Sequence, residues 1–189
     1  MALIVISGKA RAGKDTFADI LKNTFDEKYV TLAYAGELKR KCMEDFDMSY
    51  DQFYGDLKEV PDERYTKFSD SENIVYWTPR EIMQFIGTNC YRAIDNNFWV
   101  KSLFKYIDKN NLKNVIITDA RFPNEIFAPI LRGGYHIRIN KDYKNNINGE
   151  NHVSETALDD FNQIDFTVNN NGSIADLYLE AEKIKKEIK

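Results

Sequence analysis

The chain has 189 residues, 26 Lys and Arg against 30 Asp and Glu, a formal net charge of −4, and 43% hydrophobic residues. That is enough apolar chain for one ordinary domain and too much for a disordered one. A pI near 5.3 also argues against stable nucleic-acid binding through phosphate attraction. Cys42 and Cys90 show neither metal-ligand spacing nor a disulfide framework. The start, Met1 to Ser7, is short for a signal core, and no run reaches the roughly 18 apolar residues of a membrane span. A soluble protein of the reducing cytoplasm is therefore expected, with no membrane partner.

Taken in order, Leu3–Ile6 reads as a strand buried on both faces. A glycine-rich turn follows, then a helix from Asp15 to about Phe25 with Phe17, Ile20 and Leu21 at helical spacing. Val30–Ala35 reads as a second strand and Glu37–Phe46 as a charged helix. Residues 47–76 have no long apolar period and read as an irregular insertion with short helices. Thr78 and Pro79 mark the start of a helix towards Ile94, and another covers Phe98 to Asp108. Val115–Thr118, Tyr135–Ile139 and Phe166–Val168 read as further strands. Between the first two lies a helix over Pro123–Leu131. Ser173 caps a last helix carrying Leu177, Ala181 and Ile184. Short buried strands alternating with helices indicate an α/β fold with a mainly parallel sheet of about five strands. We expect one domain over 1–189. It would carry a helical, substrate-binding insertion over about 47–110 and a mobile, lid-like segment over about 140–155.

The strongest chemical signal is Gly8-Lys9-Ala10-Arg11-Ala12-Gly13-Lys14-Asp15-Thr16, a G-x-x-x-x-G-K loop between a strand and a helix. Gly8 and Gly13 let backbone N–H groups converge on phosphate oxygens, the helix start adds partial positive charge, and Lys14 adds a full one. Asp15 stands where Ser or Thr usually follows the lysine, and Thr16 comes one later. Asp15 could hold magnesium through water or orient a substrate. It could equally be a first-turn carboxylate favouring the helix dipole.

Asp119, Arg121 and Glu125 follow a buried strand, and in open α/β sheets ligands sit beyond the carboxyl ends of strands. Asp119 suits magnesium or a proton, and Arg121 suits a bidentate phosphate clamp with Glu125 in reach. The alternative is a helix-entry salt-bridge cluster. Arg80, Gln84, Thr88 and Arg92 recur every four residues, fitting either a nucleotide-reading face or a solvated one. Trp99 could stack on a base or lie in a core. His152 and Glu155 follow a polar segment in which Lys141 and Lys144 could close over phosphates. Asn170 and Gly172 could flank an adenine or simply form a turn.

These motifs occur in the order GKARAGKDT, TPREIMQFIGTNCYRAIDNNFWV, VIITDARFPNE, HVSE, VNNNGSI. That order resembles the phage-type deoxynucleoside monophosphate kinases, within the P-loop kinase superfamily. The resemblance implies a three-layer P-loop fold, a viral source, and transfer of the ATP γ-phosphoryl group to a deoxynucleoside monophosphate with Mg2+. It implies that Lys14, Asp15 and Thr16 belong to the phosphate and metal site, with Asp119, Arg121 and Glu125 completing the catalytic centre. Arg80 and Gln84 would contact the monophosphate and Trp99 would line its pocket. Arg92 and the His152–Glu155 segment match the pattern without assigned roles. A homodimer is one expected assembly. The rival expectations are another small-molecule P-loop kinase, such as one acting on dephospho-coenzyme A, and a nucleotide-dependent switch module.

Overall fold

The structure, a computed structural model, describes residues 2–70, 73–142 and 153–188. It divides into two compact units, one made of residues 1–34 and 103–189, the other of residues 35–102.

The first unit is built on a sheet in which every described pairing is parallel. Its strands are β1 (Ala2–Ser7), β2 (Val30–Leu32), β5 (Asn114–Ala120), β6 (Tyr135–Asn140) and β7 (Phe166–Asn169), in the order β2-β5-β1-β6-β7. Leu3 to Ser7 are all buried, as an apolar run in a two-sided sheet demands. On one face, Ile4, Ile6, Ile116, Ile137 and Ile139 pack with Phe17 and Leu21 of helix α1 (Lys14–Thr24). Leu177, Ala181 and Ile184 of helix α9 (Ile174–Glu187) join the same cluster. Alternation sends Leu3, Val5, Val115 and Ile117 to the other face, where helix α7 (Pro123–Ile130) brings the fully buried Ile126 against β1. The result is the three-layer α/β fold expected. Connections from β1 and β6 leave in opposite directions along the sheet, which makes their carboxyl ends a natural ligand crevice.

Two strand and helix boundaries differ from the sequence reading. β2 stops at Leu32, because the Tyr34 N–H leaves the ladder to donate to Asp119 at 2.7 Å. Ala35 then opens helix α2 (Ala35–Asp45) rather than ending the strand.

The second unit holds α2, α3 (Tyr50–Tyr54), a 3-10 turn (Asp56–Glu59), and an antiparallel hairpin of β3 (Thr66–Ser69) with β4 (Ile74–Tyr76). Nothing in the residue pattern marks the hairpin. Six of its seven strand residues are exposed, so no in–out alternation is written into them. Helix α4 (Pro79–Gln84) starts as predicted, with Pro79 at the first turn and reciprocal Thr78–Glu81 capping bonds of 3.2 and 3.0 Å. The predicted single helix towards Ile94 is interrupted by a π-helical stretch, Phe85–Cys90, before α5 (Tyr91–Ile94). Helix α6 (Phe98–Lys109) follows. No helix among the described residues is long and apolar enough to cross a membrane.

Candidate active site

In the first unit, β1 delivers its last residue, Ser7, directly into the glycine-rich loop. Ser7 is fully buried, and its hydroxyl meets His136 Nε2 at 2.7 Å. The other ring nitrogen, Nδ1, lies 2.7 Å from the Gln163 carbonyl, which only accepts. Nδ1 therefore carries the proton, and Ser7 donates to Nε2. Burial holds the His136 pKa below its ordinary value and so keeps the ring neutral. Neither Ser7 nor His136 was singled out from the sequence as a site residue. A histidine inside an apolar strand carries no signal of the hydroxyl it will meet.

The loop then turns on left-handed backbone. Gly8 has φ +151 and Gly13 φ +92. A Cβ at Gly8 would run into the Ile139 carbonyl, and one at Gly13 into the Asn170 amide. Arg11 takes φ +59 at the exposed tip, and Ala12 N–H closes the turn on the Lys9 carbonyl at 3.2 Å. Asn170 reaches across from the end of β7, its Nδ2 donating to the Ala12 carbonyl at 2.8 Å. Gly172 lies further on, beside the Ser173–Asp176 cap of α9, where a Cβ would strike the Asp176 carboxylate. Gly13 starts α1 with no side-chain cap, so the first N–H groups of that helix remain a dipolar anion site.

Lys14 folds back over this loop and donates to the carbonyls of Gly8 and Lys9, each at 2.8 Å. Burial, followed by repulsion from Arg121, lowers its pKa to about 8, against the opposing attraction of Asp15 and Asp119. Lys14, Arg121, Asp15 and Asp119 thus share one electrostatic neighbourhood. Asp15 and Thr16 lie exposed on the first turn of α1.

Asp119 stands at the carboxyl end of β5, and its Oδ1 accepts the Tyr34 N–H. The Tyr34 hydroxyl donates to the Glu125 carbonyl at 2.7 Å. Tyr34, also missed by the sequence reading, therefore braces both Asp119 and the start of α7. Glu125 is buried, and its Oε2 accepts from the backbone N–H groups of Arg121 and Phe122 at 2.7 and 3.1 Å. The Arg121 guanidinium pairs with Glu155, on the short helix α8 (Val153–Thr156). Glu155 Oε2 also accepts from the Ala10 N–H at 3.2 Å. Lys9 donates to the Glu155 carbonyl at 2.6 Å and pairs with Asp159. The structure thus brings the loop, Lys14, Asp119, Arg121, Glu125, Glu155 and Asn170 into one unit. His152 and Lys144 lie outside the described residues, as does most of the segment between Lys141 and Val153.

The remaining candidates belong to the second unit. Arg80 is ion-paired with Glu59. Gln84 and Thr88 are half-buried, and Arg92 Nη1 donates to the Asn96 carbonyl at 2.9 Å. The π stretch lies between Gln84 and Arg92, so the four-residue spacing does not make the straight stripe that an unbroken α-helix would give. Trp99 is 3% exposed, with its indole N–H donating to the Gly87 carbonyl at 2.9 Å and its ring edge-on to Tyr91 and Phe98. Gly87 permits this packing, since a Cβ there would sit 2.8 Å from Leu38 Cδ2.

No group of three or more His, Cys, Asp or Glu poised for a metal occurs among the described residues. The available donors are oxygens, in Asp15, Thr16 and Asp119. That set suits a hard cation that keeps several waters and takes the rest of its shell from phosphates.

Comparison with known proteins gives the chain a family. The family model for deoxynucleotide monophosphate kinase matches residues 56–181, more than half of the chain. A protein of Acanthamoeba polyphaga mimivirus named for the same activity is 30% identical over 197 residues, covering 95% of this chain and 94% of that one. The deoxynucleotide monophosphate kinase of Escherichia phage RB69 is 24% identical over 245 residues, covering 97% of this chain and 99% of that one. Among solved structures, a dephospho-CoA kinase from Campylobacter jejuni aligns at a TM-score of 0.48 and 17% identity, covering 99% of this chain and 96% of that one. A shikimate kinase from Bacteroides thetaiotaomicron aligns at 0.45 and 12%, with 98% and 97% covered. Both are too distant to bear on substrate. The family match spans Asp119, Arg121 and Glu155, the mimivirus relative runs nearly the whole length of the chain, and on these two findings the chain belongs to the deoxynucleotide monophosphate kinase family.

Proposed function

We propose that this kinase transfers the γ-phosphoryl group of ATP to a deoxynucleoside monophosphate, giving a diphosphate and ADP, in the cytoplasm of a host cell. The observation that carries the reading is the phosphate loop. Left-handed glycines, an uncapped helix start and a part-desolvated lysine converge beside Arg121 and Asp119. Phosphoryl transfer asks a protein chiefly to position two anions and neutralise charge as it develops. In this reading the loop N–H groups from Lys9 to Lys14 hold the donor phosphates and Lys14 neutralises the outer ones. Arg121 steadies the transferring group, and Glu125 fixes Arg121 by accepting its backbone N–H. Asn170 keeps the loop in its binding shape. Arg80, Gln84, Thr88 and Arg92 are the proposed contacts to the acceptor. For Trp99 its burial favours support of that helix over stacking on a base. Asp15, Thr16 and Asp119 would hold Mg2+, which when bound supplies charge neutralisation at the phosphates.

The test is a coupled assay with ATP and Mg2+ across the deoxy- and ribonucleoside monophosphates. Rapid diphosphate formation from deoxynucleotides, with weak ribonucleotide turnover, is the expected result. ATP turnover without dependence on any monophosphate would refute the acceptor assignment. Lys14→Ala is expected to lose at least about 100-fold in turnover, with an unchanged circular dichroism spectrum. Near-normal turnover in that variant would refute the loop assignment.

A further inference from the structure

The phosphate loop already holds an anion that belongs to the chain itself. One carboxylate oxygen of Glu155 accepts from the Ala10 N–H at 3.2 Å, and the other pairs with the Arg121 guanidinium. The Glu155 side chain is only 11% exposed. The same stretch is tied to the loop a second time, through Lys9, which donates to the Glu155 carbonyl and pairs with Asp159. A loop N–H and a guanidinium fork converging on two oxygens of one anion are the donors that a phosphoryl group would use.

We propose that Glu155 is the resident anion of a phosphoryl subsite formed by the Ala10 N–H and Arg121, and that a polyphosphate gains these donors only by displacing it. The inference rests on the phosphate-loop reading above. It also accounts for the electrostatics. Arg121 repels Lys14 strongly enough to help lower its pKa, and Glu155 neutralises Arg121 until another anion takes over. Exchange of one anion for another then costs less than removing Glu155 with no anion in its place. Glu155 sets a threshold: an incoming group must offer more charge and more acceptor oxygens than a carboxylate does.

The experiment measures binding of inorganic tripolyphosphate, which has no base or sugar, by calorimetry on the full chain. Glu155→Gln keeps the side chain's shape and removes the competing charge. It is expected to bind tripolyphosphate about tenfold more tightly than the wild type, the scale of one charge-assisted hydrogen bond. Asp159→Asn leaves Glu155 intact but weakens the Lys9 tie, and it is expected to give a smaller gain of the same sign. Equal or weaker binding by Glu155→Gln overturns the proposal, since Glu155 would then serve to hold Arg121 in place. If Glu155→Gln does not fold, the absence of any gain in Asp159→Asn overturns it instead. Failure of the underlying reading looks different. Tripolyphosphate would then bind to neither the wild type nor Glu155→Gln, or would bind equally well to Lys14→Ala.

Discussion

At Lys14 two carbonyls hold the ammonium in place without neutralising it, since neither Gly8 nor Lys9 contributes a negative charge there. Burial and Arg121 bring its pKa down to about 8, so part of the population loses its proton at mildly alkaline pH. A bound polyphosphate supplies the missing opposite charge and restores the proton. Binding should therefore take up a proton above pH 8, and ATP affinity should fall as the pH rises beyond it, by up to tenfold per unit. Calorimetry at about pH 8.5 in two buffers of different ionisation enthalpy reads this directly. An uptake of about three-quarters of a proton is expected for the wild type and none for Lys14→Arg, whose guanidinium stays charged. Identical heats in the two buffers for the wild type would place the lysine outside the phosphate site. The lysine itself was legible in the sequence from its spacing to Gly8 and Gly13. Its tuning was not, because the burial that mainly shifts it, and the Arg121 charge that adds to it, arise only once distant parts of the chain are folded together.

Among the elements, the π stretch Phe85–Cys90 is bonded from inside by a side chain from elsewhere in its unit. The Gly87 carbonyl accepts from the Trp99 indole, and the missing Cβ of Gly87 admits Leu38. Trp99→Phe keeps most of the ring packing and removes the indole donor to the Gly87 carbonyl. A loss of about 1 kcal/mol in urea unfolding is expected, from a lower midpoint with an unchanged slope. No loss would mean that the π turn is held by backbone preference alone. The sequence could not announce this turn. Its residues carry ordinary helical periodicity, and the hydrogen bond made inside it comes from a tryptophan twelve positions on. The buried strands were legible because a two-sided parallel sheet demands continuous apolar runs, and Leu3–Ile6 and Val115–Thr118 supply them. The β3–β4 hairpin, short and exposed, had no such demand placed on it. The site followed the same rule. Asp119, at a strand end, and Lys14, at its fixed spacing from Gly8 and Gly13, could be read from position, whereas Tyr34 and His136 were drawn in by folding.

For the whole molecule, a titrating group in each of the two units ties stability to acid in a different pH window. In the first, His136 is buried, neutral and bonded on both ring nitrogens, and burial holds its pKa below 6.5. The unfolded chain takes up this proton before the folded one, so folding loses stability as pH falls through 6.5 towards the folded value. In the second, hydrogen bonds from Arg64 and then Gln52 hold the Asp62 carboxyl far below its ordinary 3.8, against its own burial. Here stability is fully present above 3.8 and is lost as pH falls through the lowered folded pKa. The two windows do not coincide, so two separate variants can isolate them. Thermal unfolding at about pH 7.5, 5.5 and 3 is expected to show a wild-type Tm that falls across both steps. His136→Gln can still offer an amide N–H and a carbonyl oxygen to its neighbours but cannot take up a proton, so it should flatten the first step and leave the second. Asp62→Asn should lower the Tm at neutral pH, because Arg64 loses its nearer charged partner, and shrink the second step. If His136→Gln retained the full fall between pH 7.5 and 5.5, the neutral Ser7–His136–Gln163 chain would not be what acid disrupts, and the anchoring of the phosphate loop at Ser7 would have to lie in the backbone of β1.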